Sequence, residues 1–158
     1  MSAEGGKAFQ MVVDVVEGVT PRDTGYAESP TFEYLQGYTE GDVKGLDSPT
    51  RKFILALTGQ RSLGGPLGPP TKPFEVTEVW ELRIAYLQGE DSKLLQQVII
   101  DDINEIGADL MTPNNWDEPT TRVSDVDVGE YVPVFDDEEN GAAVVLIPIT
   151  VTYRPEFT

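Results

Sequence analysis

Apolar residues near the start of the chain recur at helical intervals: Phe9, Val12, Val13, Val16 and Val19 share one side of a 3.6-residue helix. Gly18 and Pro21 supply a stop, so a helix is predicted over residues 7–17. Residues 20–50 are crowded with turn formers, among them Pro21, Gly25, Pro30, Gly37, Gly41, Gly45 and Pro49, and leave room for a short strand at 31–35. Residues 51–58 then form a nearly continuous apolar run bounded by turn residues, which reads as a strand. After a break the pattern switches to alternation. Val76, Trp80, Leu82, Ile84 and Tyr86 fall on one face of a second strand, interrupted only by Glu78.

Between these two strands residues 59–73 hold four Gly and four Pro, which excludes a helix or an interior strand. The pair therefore reads as an antiparallel hairpin with a long Gly/Pro-rich loop at 59–75. Helical spacing returns with Leu95, Val98, Ile99, Asp102, Ile103, Ile106 and Leu110, ending before Pro113. Asp102 interrupts that stripe and needs a partner or a solvent edge. The last third is β: weak alternation at 121–128, an apolar stretch at 131–135, a turn carrying Asn140-Gly141, and a final strand at 143–154. That strand puts Val145, Ile147, Ile149, Val151 and Tyr153 on one face. Pro148 lacks a ladder donor, so its stretch is expected at an edge or a bulge.

The order α–β–β–β–α–β–β predicts one α+β domain spanning residues 1–158. Its antiparallel-rich (mixed) β-sheet has two α-helices packed on one face and a long protruding hairpin loop. Length agrees, since 158 residues is one core's worth of chain. Gly and Pro number 27, above the usual share, in keeping with many turns. No apolar run approaches the length that spans a bilayer. The first residues, Met1 to Gly6, lack the basic start and apolar stretch of an export signal, so an unexported chain is expected.

Two absences narrow the chemistry. The chain has no Cys and no His, which excludes disulfides, Cys/His zinc sites, and nucleophile systems that rely on a histidine base. Catalysis would have to run on carboxylates, Lys or Tyr, so no catalytic residue, cofactor or metal is assigned and a non-enzyme is expected. The 125–130 stretch, with Asp125 and Asp127, fails the EF-hand spacing. Gly64-Gly65-Pro66-Leu67-Gly68 lacks the Gly-Lys-Ser/Thr ending of a phosphate loop.

The net charge is −17, from 28 acidic and 11 basic residues. Such a chain is repelled by duplex DNA and by anionic membranes. The charge is also partitioned. Residues 43–74 carry Lys44, Arg51, Lys52, Arg61 and Lys72 against Asp47 alone, whereas residues 89–158 hold 16 acidic against 3 basic residues. This arrangement predicts that the basic hairpin arm docks on the acidic body of a neighbouring copy. Arg51, Lys52, Arg61, Leu63, Leu67 and Lys72 are then the expected subunit-interface residues. A contact between unlike patches closes into a ring when its rotation permits. The acidic turn Asp136, Asp137, Glu138 and Glu139 is the other candidate surface, facing either solvent or a partner.

The N-terminal helix, the hairpin from Arg51 to Tyr86, the amphipathic helix from Ser92 to Met111 and the closing strand from Val145 to Arg154 together resemble tail terminator proteins of long-tailed bacteriophages, the lambda minor tail protein U type. The likeness covers most of the chain in the order of its elements. It implies a hexameric ring that caps the tail tube, ends its polymerisation and joins the tail to the head connector. The tube protein and the connector or stopper protein would be its partners. Genomic DNA would pass through without specific binding along a lumen lined by Asp136, Asp137, Glu138 and Glu139. It places the chain in the virion at the tail–neck junction, and in the host cytoplasm during assembly. A head-completion or stopper protein at the same junction, a carboxylate-based hydrolase and an acidic binding module are the competing expectations.

Overall fold

A computed structural model describes residues 4–22, 31–35, 50–64, 75–87, 92–117, 121–135 and 142–155. Helix α1 (Glu4–Gly18) begins one turn earlier than the apolar spacing predicts. It buries Ala8, Met11, Val12, Val13 and Val16. It closes with the Val19 amide on the Val16 carbonyl at 3.2 Å, just before Pro21. Helix α2 (Ser92–Leu110) buries every residue of its stripe, Asp102 included. A 3-10 turn (Pro113–Asn115) follows it. The last carbonyls of α2 find side-chain donors beyond the helix, as helix ends require. Asn115 Nδ2 donates to Asp109 O at 2.9 Å, and Trp116 Nε1 donates to Leu110 O at 2.6 Å.

Six strands form one mixed sheet: β1 (Glu33–Tyr34), β2 (Lys52–Gly64), β3 (Glu75–Leu87), β4 (Val123–Val128), β5 (Val132–Val134) and β6 (Ala142–Tyr153). Their order is β1-β2-β3-β6-β4, with β5 also against β6. β1 pairs parallel with the start of β2, and every other pairing is antiparallel. This is the α+β fold with a mixed sheet that the sequence predicts. The alternating positions of β3 and β6 do as expected: Val76, Trp80, Leu82, Ile84, Tyr86, Val145, Ile147, Ile149, Val151 and Tyr153 are all buried. They join the inward residues of both helices in one continuous core. A buried aliphatic side chain of this kind contributes about 1.5–3 kcal/mol by leaving water.

The sheet corrects one sequence expectation and bears out another. The loop expected at 59–75 is shorter, because β2 continues as a strand to Gly64 and β3 starts at Glu75. Among the described residues, 59–64 pair only with β3, so they form a sheet edge rather than an interior strand. The register slips between Leu57 and Gln60, where β2 carries two extra residues, Thr58 and Gly59, and Gly59 takes a φ of 79°, in the left-handed region that glycine favours. Of the two places expected for Pro148, the bulge is the one found: β6 is flanked on both sides, and three residues, 129–131, stand opposite two, 147–148. β4 lies beside one end of β6 and β5 beside the other, and their line breaks opposite Pro148. The Gly129 amide donates to the Pro148 carbonyl at 2.9 Å at that break. In an antiparallel strand a residue's N and O point to the same side, so the missing donor of Pro148 faces the break between β4 and β5. A Cβ on Gly129 would lie 2.8 Å from Pro148 Cγ, which is why the residue there is glycine.

Candidate functional site

The hairpin arm holds the residues expected to meet a neighbour, and the fold divides them. Arg51 is a correction. It is fully buried, and both its Nε and a terminal nitrogen reach Asp102, at 2.9 and 3.0 Å. Tyr86 adds its hydroxyl to the same carboxylate at 2.8 Å. The Arg51 guanidinium also lies 5.7 Å from the centre of the Phe32 ring. Its backbone is fixed as well, with φ at 64°, its amide on Ala85 O at 2.7 Å and its carbonyl accepting from the Glu33 amide at 3.1 Å. A guanidinium so enclosed cannot contact a second copy. Burial lifts the Asp102 carboxyl above the ordinary carboxylate range, against the pull of the Arg51 guanidinium and the Tyr86 hydroxyl.

Lys52 is half-buried and pairs with Glu33 on β1. Arg61 stays at the surface, 53% exposed, with its Nε on Glu78 Oε1 at 3.2 Å. Leu63 is 65% exposed. Leu67, Lys72, Asp136, Asp137, Glu138 and Glu139 lie outside the described residues. Three of the five bases counted on the arm thus meet a carboxylate of their own chain. The segregation of charge in the sequence is in part undone by folding.

Glu78, which breaks the alternation of β3, is the polar centre of the arm. Trp80 Nε1 donates to its Oε2 at 2.9 Å, and Tyr153 donates its hydroxyl to Oε1 at 2.8 Å. Burial and the neighbouring Glu78 carboxylate push the Tyr153 phenol up to about 12. Glu78, Trp80 and Tyr153 line a cleft of about 440 Å³ together with Gly6, Phe9 and Leu57. Phe9 and Trp80 meet edge to face there, with ring centres 5.4 Å apart. Leu57 stands at the margin, 72% exposed. A second, larger and more polar cleft of about 730 Å³ lies between α1 and the end of α2, where Asp14, Asp109, Asn115 and Asp117 face Lys7 and Gln10. Among the described residues no three His, Cys, Asp or Glu side chains converge as a metal would require, and no helix is long and apolar enough to cross a membrane.

The sequence reading missed one surface. Tyr131, Val132, Val134 and Phe135 are all exposed, Val132 to 56%. Their apolar run reads as β structure without showing which face meets solvent, and β5 lies at the sheet edge. The signal was present in Pro133, which is rare within interior strands. Compared with known proteins, the sequence matches no family model and no curated protein.

Proposed function

We propose that this chain is a structural subunit of a phage tail–neck ring. Copies close head to tail into a hexamer that caps the tail tube, stops its polymerisation and presents a face to the head connector, while the genome passes through an acidic lumen. The observation that carries this reading is the partition of charge along one small fold. Residues 52–74 contain three bases and no acid, and residues 123–153 contain seven acids and no base. Unlike patches on identical subunits favour a contact that repeats in one direction. A bore of net negative character lets DNA slide, because nothing replaces the counterions on its phosphates. The order of elements and the resemblance that it carries support the same reading, as does a chain without histidine or cysteine chemistry.

Negative-stain imaging of the purified chain, alone and mixed with its tube protein, tests the proposal. Rings of about six copies at tube ends are the expected result. Solitary particles even at tube termini overturn it. Rings that bind the portal side instead of the tube assign the chain to the stopper position.

A further inference from the structure

We propose that the exposed apolar segment 131–135 of one copy seats in the cleft beside Leu57 on the next copy. The proposal rests on the reading of the chain as a self-assembling ring subunit, and it names the two surfaces that meet. The receiving surface is the helix side of the arm beyond the start of α1. Register sets Leu57 opposite Trp80, Arg61 opposite Glu78 and Leu63 opposite Val76, so these three β2 side chains share the core-facing side of the sheet. Their β3 partners Trp80 and Val76 are buried, whereas Leu57, Arg61 and Leu63 stand in solvent. The cleft beside them, about 440 Å³ and lined by Gly6, Phe9, Leu57, Glu78, Trp80 and Tyr153, lies within the range of pockets that enclose a bound group.

The inserted surface is the opposite edge of the same sheet, where Tyr131, Val132, Val134 and Phe135 are exposed. β5 pairs with the early residues of β6, around Leu146, while the cleft adjoins Tyr153 at its far end. Seven strand residues and three strand spacings separate the two surfaces, roughly 23 Å along the strands and 14 Å across them. One subunit therefore cannot satisfy both. Distance leaves a second copy to join the two surfaces, and charge disfavours the like orientation. Segment 131–135 follows Glu130 and precedes Asp136, Asp137, Glu138 and Glu139 in sequence, within a stretch that has no base. On the arm, Arg61 stands at the surface with its Nε on Glu78, which lines the cleft, so the receiving surface is close to neutral there. Self-pairing of segment 131–135 would bring ten carboxylates together, two sets of those five, whereas pairing with the arm sets them against a surface where Arg61 offsets Glu78.

The absence of cysteine makes a clean test. Leu63→Cys and Val132→Cys are prepared as separate full-length variants at exposed sites, mixed, and treated with a short bis-maleimide. The expected result is a linked dimer in the mixture and none in either variant alone. A variant carrying both substitutions links into a ladder of oligomers. Like-with-like links, or no link in the mixture of folded variants, overturn the proposal. Val134→Asp provides the second arm: association in sedimentation falls by roughly tenfold or more, and unchanged association overturns the contact. Imaging of the unmodified chain separates the two ideas. Rings without the mixed link reject this contact and keep the ring, and a mixed link without rings on tubes does the reverse.

Discussion

Arg51 and Asp102 show how a buried charge pair fastens a fold without being its main source of stability. Removing two charges from water costs several kcal/mol per ion, and a two-point pair with a tyrosine hydroxyl on the same carboxylate offsets that cost. Breaking one side leaves the other buried and alone. Asp102→Asn is therefore expected to destabilise the chain by about 3–5 kcal/mol in urea unfolding. The joint replacement Arg51→Met with Asp102→Leu is expected to recover most of that loss. Equal losses for the single and joint variants would show that the pair's geometry, and not its charge balance, holds α2 to the sheet. Tyr153 gives a second test with a definite sign. Its phenol titrates near 12 in the folded chain and near 10 when unfolded. The native state thus holds more protons between these values. The stability that Tyr153 lends is complete below pH ~10 and declines by about 2–3 kcal/mol as pH rises to ~12. Tyr153→Phe should be less stable at neutral pH, through loss of the hydrogen bond to Glu78, yet lose nothing further over that alkaline window. A variant profile that falls as steeply as the parent's rejects the assignment.

Among the elements, the β4–β5 break is the most tightly specified. A methyl group at position 129 would press on the Pro148 ring at 2.8 Å, so Gly129→Ala is expected to cost about 1–3 kcal/mol by overpacking. Pro148→Ala in the same chain should restore most of it, and a double-mutant cycle measures the coupling. Additive losses would mean that the two residues do not touch. This pair also marks where reading the sequence stopped. Both helices and the inward rows of β3 and β6 were legible because Leu95 to Leu110 and Val76 to Tyr86 each hold a single period over many residues. Pro148 is legible as a missing donor that needs an edge or a bulge, but which strand supplies the extra residue is not, because its neighbour Gly129 is 19 residues away in sequence. The same limit applies to the site. Asp102 announced its need for a partner, but nothing local identifies Arg51, 51 residues earlier, as that partner. Arg51 was instead counted with the surface bases. Glu78 was visible as a break in alternation, while its donors Trp80 and Tyr153 came together only through the β3–β6 pairing.

For the molecule as a whole, two electrostatic effects act over different distances. Each copy carries −17, so two copies repel at long range. The apolar segment 131–135 and the cleft beside Leu57 act only on contact. Salt separates the two effects, since the screening length falls from about 30 Å at 0.01 M to about 10 Å at 0.1 M. Repulsion between whole bodies weakens over that interval, whereas apolar burial does not. Arg61, with its Nε already on Glu78, leaves little paired charge at the contact for salt to weaken. Self-association of the free chain is therefore expected to rise between ~0.01 and ~0.1 M salt, as the growth of the larger species in sedimentation velocity. The same conditions should leave binding to duplex DNA undetectable, for want of bases to replace counterions. Association that falls as salt is added would show that opposite charges, and not the exposed leucines and segment 131–135, hold the copies together.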